Sequence, residues 1–410
     1  MEHEFIIRDL KKKLKLKDFE LNSILEITKG IHDNKSIDNL ISLYEFILKE
    51  RLGVRHFVLF NTTETGWNAT VKAGIKGSIK GIQVERDLLR FKKITLIDSS
   101  ANEDLNQFDI VIPVFFQERA IAFLILKLSI DLSQRNSDDD LLFIQTLTNI
   151  ILVAIENKRM NKQSLAQERI KKELEIASEM QKMLFPNELP SDKRLDLAAN
   201  FIARHEVGGD YYDFIPINDD EFIIYIADVS GKGISAAMLM ANFQATIRTL
   251  LSFQQYDLEE LIHELNRRVS ESAKGEKFIT FFIGHYNAKT RQFKYINAGH
   301  NYPILTNGKK AQFLDKGSIG LGMLDKIPFI EPDEIYINPN STLVLYTDGV
   351  VELQNKYGEF FQTNRLIKLI HSFYPLKMED LNNIIFSKLD EFRNQQDLVD
   401  DTAIISCRIF

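Results

Sequence analysis

The sequence predicts an α+β chain in which a front domain and a larger back domain are joined by a helical linker, and three observations carry that prediction. Residues 18–52 repeat apolar positions at helical spacing, and the stretch that follows is a series of short aromatic and β-branched runs. From residue 186 onward, strand-like runs ending in aspartate surround a long helical pattern. A chain of 410 residues has room for two or three domains, and 44% hydrophobic with 27% charged residues is ordinary for a globular protein.

A net charge of −7 argues against nucleic acid as a partner, because a polyanion binder carries a dominant basic face. The single cysteine, Cys407, excludes an internal disulfide framework and a cysteine-based zinc site, and it suits a reducing cytoplasm. The N-terminus "MEHEFIIRDLKKK" lacks the pattern of a secretory signal, and "FDIVIPVFF" and "IILVAI" fall short of the roughly 18–20 residues that span a bilayer. The expectation is a cytoplasmic protein without an integral membrane segment.

Taken in order, residues 1–17 read as a basic helix whose run "RDLKKKLKLKD" is a solvated face. Two helices follow, one with Leu21, Ile24, Leu25 and Ile27, the other with Leu40, Ile41, Tyr44, Ile47 and Leu48, separated by "GIHDNKS". The runs "HFVLFN", "WNATVKAG", "KITLID", "FDIVIPVFF" and "AIAFLILKLSI" then predict an antiparallel meander, with "QER" as its last turn. "SDDD" at 137 offers an N-cap to a closing helix. This order of elements, with the stretches "LGVRHFVLFN" and "VIPVFFQERAIAFLILKLS", resembles a GAF domain over residues 18–158. That resemblance implies a module for small-ligand sensing or dimerisation.

Residues 159–185 are charged and helical, and Pro186 and Pro190 end the pattern. A heptad register lines up Met160, Gln163, Gln167, Ile170, Leu174, Ala177, Gln181 and Leu184. Three glutamines make this a weak coiled-coil seam, suited to a homodimer that changes its pairing.

In residues 186–410 the chemistry lies in carboxylates. "DYYDFIPI" and "EFIIYIAD" flank the turn "NDD" and read as a hairpin centred near residue 219, which sets Asp210 opposite Asp228 at about 4.5–5.5 Å. Like charges at that separation persist if one carboxylate is protonated, if water separates them, or if a cation lies between them. "STLVLYTDGVVE" ends a strand at Asp348, and "LVDDTAIISCRIF" opens one at Asp400 and Asp401. Acids at four strand ends suggest coordination of a hard cation through oxygen. "GKG" after Asp228 lacks the spacing of a P-loop, and its glycines read as room for the backbone beside Asp228.

"EVGGDYYDF", "IADVSGKGISAAMLMA", "YINAGHNYPIL", "LVLYTDGVVE" and "DDTAII" occur in the order and spacing of the SpoIIE-type branch of the PPM serine/threonine phosphatases, which residues 173–410 resemble. The resemblance implies an α/β/β/α sandwich phosphatase domain over residues 186–410, with two Mn²⁺ or Mg²⁺ ions at one end. On it, Asp228 bridges the two ions, the Val229 carbonyl is a further ligand, Asp348 and Asp400 complete the shell of the second ion, and Asp210 acts directly or through water. Motif order and strand alternation favour Asp400 over Asp401. Ser230 stands where eukaryotic relatives carry a histidine, Ala403 where a threonine is more frequent, and Asn297, Gly299 and His300 read as turn architecture. The implied activity is hydrolysis of phosphoserine or phosphothreonine on an anti-anti-sigma-type protein, under control of the front domain. The alternatives are a catalytically silent phosphoprotein-binding scaffold and a ligand-sensing adaptor.

Overall fold

The structure is a computed structural model, and it describes residues 2–63, 66–75, 77–97, 102–116, 118–128, 137–253 and 257–410. The chain divides into two compact units, Met1–Glu168 and Arg169–Phe410. No helix among the described residues is long and apolar enough to cross a membrane.

The first unit opens with one continuous helix, Glu2–His32, so the basic run and the first amphipathic pattern are a single element. Ser36 then caps the helix Ile37–Phe46, its Oγ accepting from the Asn39 N–H at 3.2 Å. Five strands follow: β1 (Phe57–Thr63), β2 (Gly66–Ala73), β3 (Thr95–Leu96), β4 (Ile110–Phe116) and β5 (Arg119–Leu126). Their order, β2-β1-β5-β4-β3, departs from the expected meander because β5 lies between β1 and β4. The run "RAIAFLIL" explains this: it is apolar on both faces, which suits the centre of a sheet. Gln117, in the expected "QER" turn, lies outside the described residues, as do the side chains of Ser137 and Asp138 in the expected N-cap.

Alternation splits the sheet's two faces. Phe57, Leu59, Ile112 and Leu124 pack against the helices through Leu40, Tyr44, Ile144 and Leu147. Val58, Phe60, Phe123 and Ile125 instead meet Ile82, Leu88, Leu105 and Phe108 of the connecting segments. The closing helix and the expected linker helix form one helix, Ser137–Lys182, which ends four residues before Pro186.

In the second unit, one sheet has the order β13-β10-β9-β8-β7 with β14 beside β10, and the other β12-β11-β15-β16-β6. The first is built from β7 (Tyr211–Pro216), β8 (Glu221–Val229), β9 (Ile279–Asn287), β10 (Gln292–Ala298), β13 (Gly317–Ser318) and β14 (Asp333–Tyr336). The second contains β6 (Leu195–Ile202), β11 (Ile304–Thr306), β12 (Ala311–Phe313), β15 (Ser341–Tyr346) and β16 (Thr402–Ile409). Helices Ile234–Phe253 and Leu258–Ala273 cover the first sheet, with Phe243 edge-on to Phe281 at 5.2 Å between ring centroids. Helices Thr363–Ser372 and Met378–Arg393 cover the second, packing Leu366, Ile370 and Ile385 on Val344, Tyr346 and Ile404. The opposite side chains of those strands, Leu343, Leu345, Ile405 and Cys407, join the core between the sheets. Both faces of β16 are covered, which is why all eight of its residues are buried.

Candidate active site

Four strand ends meet at one end of this sandwich. Asp210 immediately precedes β7, Asp228 is the penultimate residue of β8, and the register that pairs Tyr211 with Ala227 continues to set the two aspartates opposite each other. From the other sheet, β15 passes through Thr347 into the short helix Asp348–Val351, and Asp400 lies two residues before β16. The ladder between these strands extends to the root of both acids: Thr347 N–H donates to the Ala403 carbonyl at 3.1 Å, and Ala403 N–H donates to Thr347 Oγ1 at 2.9 Å.

Burial and mutual repulsion dominate the electrostatics. Burial, followed by the charges of Asp228 and Asp401, holds the Asp210 carboxyl well above the usual carboxylate range. Burial and the charges of Asp348 and Asp400 push Asp228 up to about 7, against the opposing effect of a hydrogen bond with Asp210. Asp348 rises to about 6 through burial and the charge of Asp400. Both carboxyls of the pair are thus biased toward the protonated form, and Asp228 shares a hydrogen bond with Asp210.

These residues fit a hard divalent cation. Asp210, Asp228, Asp348 and Asp400 offer oxygen donors alone, and Asp210 Oδ2 is buried without a hydrogen-bond partner. Among the described residues no three acidic, histidine or cysteine side chains are already converged at ligating separations. Asp228 instead shares a hydrogen bond with Asp210, and Lys232 Nζ holds Asp400 Oδ2 at 2.7 Å.

The neighbours Asp400 and Asp401 have different environments. Asp401 is buried, its Oδ1 accepting from Arg204 N–H at 2.8 Å and its Oδ2 from Gly209 N–H at 2.6 Å, so both oxygens serve the loop before Asp210. Asp400 has a partly open side chain directed toward Lys232, and its charge is felt by Asp228 and Asp348.

Two glycines permit this approach. A Cβ on Gly349 would stand 1.9 Å from the Asp401 carbonyl oxygen, and one on Gly209 would stand 3.0 Å from that of Val229. The glycines of "GKG" do something other than expected: Gly231 and Gly233 have φ of +86° and +73°, so they serve the left-handed turn rather than an approach to Asp228. Ser230 Oγ accepts from Phe278 N–H at 2.9 Å and so has a structural role in the turn.

Sequence reasoning missed two buried contacts. Gln181, placed on the exposed seam, is instead buried against the loop that leads into Asp210. Its Nε2 donates to the Gly208 carbonyl at 2.7 Å and its Oε1 accepts from Gly208 N–H at 3.0 Å. A penultimate helical glutamine followed by "KMLF" carries no signal that separates the two readings. Asp213 is fully buried and accepts from Tyr225 Oη at 2.9 Å and from Arg248 Nε and Nη2 at 2.7 and 2.8 Å, which ties β7 to helix Ile234–Phe253. An acid alternating with aromatics inside a strand was the available clue.

The "NAGH" segment lies at the same end. Asn297 Oδ1 accepts from His300 N–H at 2.7 Å, and Gly299 turns with φ of +69°, so the expected turn architecture is present. His300 is buried as well, with Nδ1 2.8 Å from Thr280 Oγ1, and Thr280 pairs with Asp228 across β8 and β9. Burial lowers its pKa to about 4 against smaller opposing effects of the Tyr346 and Thr280 backbone.

The sandwich defines a PP2C-type phosphatase fold. The solved SiaA-PP2C domain of Pseudomonas aeruginosa matches with a TM-score of 0.54 at 20% identity, covering 60% of this chain and 99% of that one. The profile of the family Stage II sporulation protein E (SpoIIE) matches residues 218–410. Phosphoserine phosphatase RsbU of Bacillus subtilis is 31% identical over 245 residues, which are 59% of this chain and 71% of RsbU. Protein IcfG of Synechocystis is 27% identical over 295 residues, and the match spans 46% of its length. The chain belongs to the SpoIIE-type PPM protein serine/threonine phosphatases.

Proposed function

We propose that this phosphatase hydrolyses phosphoserine or phosphothreonine on a regulatory protein of the anti-anti-sigma type, using two Mn²⁺ or Mg²⁺ ions held by Asp210, Asp228, Asp348, Asp400 and the Val229 carbonyl. One observation carries the reading: four acids from two sheets lie at one end of the sandwich, where burial and neighbouring carboxylates raise the pKa values of Asp210, Asp228 and Asp348. A dication relieves that strain. When bound, the ions polarise the phosphoryl group and lower the pKa of water. Asp210 and Asp228 must be deprotonated to bind them, Asp400 must leave Lys232, and Asp401 and Gln181 keep the Gly208–Gly209 loop in place meanwhile. Lys232, once released, presents a positive charge at the site's mouth, where a phosphoryl group carries negative charge. His300 is neutral at pH 7 and lies beside Thr280, in a position to orient rather than to protonate a leaving group.

The first unit is proposed as the GAF-like sensory and dimerisation module, and the polar heptad around Gln163 and Gln167 as part of a changeable homodimer contact. The helix Ser137–Lys182 ends next to Gln181, so a shift of that end alters the Gly208 contact beside Asp210. The reading is tested by measuring inorganic phosphate released from phosphoserine proteins with Mn²⁺. Release by the wild-type chain that disappears in Asp228→Asn supports it; equal release by both is incompatible with the assignment of Asp228.

A further inference from the structure

A cavity of about 440 Å³ is lined among others by His300, Asn301, Tyr302, Phe313, Asp315 and Tyr346. Its position follows from the topology. β10 ends in Asn297–Ala298 just before His300, and β15 ends at Tyr346 just before Asp348, so the cavity opens at the same end of the sandwich as Asp228 and Asp348. Two nitrogens in its lining are buried without a hydrogen-bond partner, His300 Nε2 and Asn301 Nδ2. His300 is only 4% exposed, and an unpaired buried donor costs on the order of 1–3 kcal/mol. His300 Nδ1 shares a hydrogen bond with Thr280 Oγ1, and the Asn301 amide nitrogen is a donor in search of an acceptor. Tyr302 and Phe313 form an exposed aromatic rim, 52% and 42% accessible.

We infer that this cavity receives the polypeptide flanking the phosphorylated residue of the substrate, a main-chain carbonyl accepting from Asn301 Nδ2, the main chain passing His300 Nε2, and an apolar side chain lying between Tyr302 and Phe313. The inference rests on the phosphatase reading and deepens it by naming the recognised class: an extended segment with neutral or basic flanks, since the Asp315 carboxylate in the lining repels acidic ones. The cavity lining includes none of the four acids, so a small phosphomonoester bound at the acids leaves it unfilled.

The test compares Tyr302→Ala and Asn301→Ala with the wild-type chain on two Mn²⁺-dependent substrates. One is p-nitrophenyl phosphate; the other is a heptapeptide library with central phosphoserine and randomised neutral flanks. Tyr302 is at the surface, so its replacement leaves the fold intact. The ratio of kcat/KM for peptide to that for p-nitrophenyl phosphate is expected to fall about tenfold in each variant, mainly through KM for the peptide. A ratio within about twofold of wild type in both variants overturns the inference. Failure of the wild-type chain to hydrolyse either substrate overturns the phosphatase reading itself, and the inference with it.

Discussion

Replacing Asp228 by asparagine should stabilise the metal-free chain while abolishing its response to Mn²⁺. The carboxyl titrates near 7 in the folded protein, against an ordinary 3.8, because burial comes first and the charges of Asp348 and Asp400 add to it. A folded-state pKa raised above the unfolded value means that the native state binds the extra proton, so stability falls as pH rises from about 4 to about 7. Above that window the full penalty applies, roughly 4 kcal/mol at about 1.4 kcal/mol per pKa unit. An amide at this position keeps the volume and the contact with Asp210 and removes the charge. Burying the amide costs about 1–3 kcal/mol in return, so a net gain of about 1–3 kcal/mol remains near pH 8. For a unit of this size each kcal/mol moves Tm by roughly 2–4 °C. Thermal unfolding in EDTA should therefore show Asp228→Asn melting several degrees above wild type near pH 8, with the gap shrinking near pH 5. Mn²⁺ at about a hundred times its Kd should add about 2.7 kcal/mol to the wild type and much less to the variant. A variant equally destabilised at both pH values, or equally stabilised by Mn²⁺, would refute this electrostatic account.

Asp400→Asn should lose phosphatase activity with little change in Tm, whereas Asp401→Asn turns an amide toward the Arg204 and Gly209 N–H groups and should lose about 1–3 kcal/mol of stability in urea unfolding. Gln181→Leu leaves the buried Gly208 N–H and carbonyl without partners and should lower kcat at least tenfold in residues 169–410 as well as in the full chain; a change in the full chain alone would place its effect in the first unit. Gly349→Ala drives a Cβ into the Asp401 carbonyl and should cut activity about tenfold or more, checked alongside circular dichroism to separate displacement of the site from unfolding.

The back unit was legible because its chemistry sits in local pattern. The hairpin register follows from two apolar runs around "NDD", and "YTDG" and "VDDT" mark strand ends, so Asp210, Asp228, Asp348 and Asp400 reach one end of the sandwich as expected. What stayed hidden depends on contacts between distant segments. Gln181 reads as a seam residue by spacing, yet Gly208, 27 residues later, determines its role. Asp401 and Asp400 are chemically identical neighbours, distinguished by their partners: the Arg204 and Gly209 N–H groups for Asp401 and Lys232 for Asp400. In the front unit the strands were found, but their order was not, because the apolar run of β5 says that it is central without naming β1 as its neighbour. His300 showed its turn but not its orphaned nitrogen, since burial of one ring atom leaves no trace in composition.

Anomalous diffraction from crystals of the Mn²⁺-loaded protein tests whether these strand-end aspartates hold the catalytic ions. The account predicts manganese peaks in contact with the Asp228 carboxylate, flanked by Asp210 on one side and by Asp348 and Asp400 on the other, with Lys232 displaced from Asp400. Manganese bound elsewhere, or Asp228 still hydrogen-bonded to Asp210 with no metal beside it at saturating Mn²⁺, would contradict it.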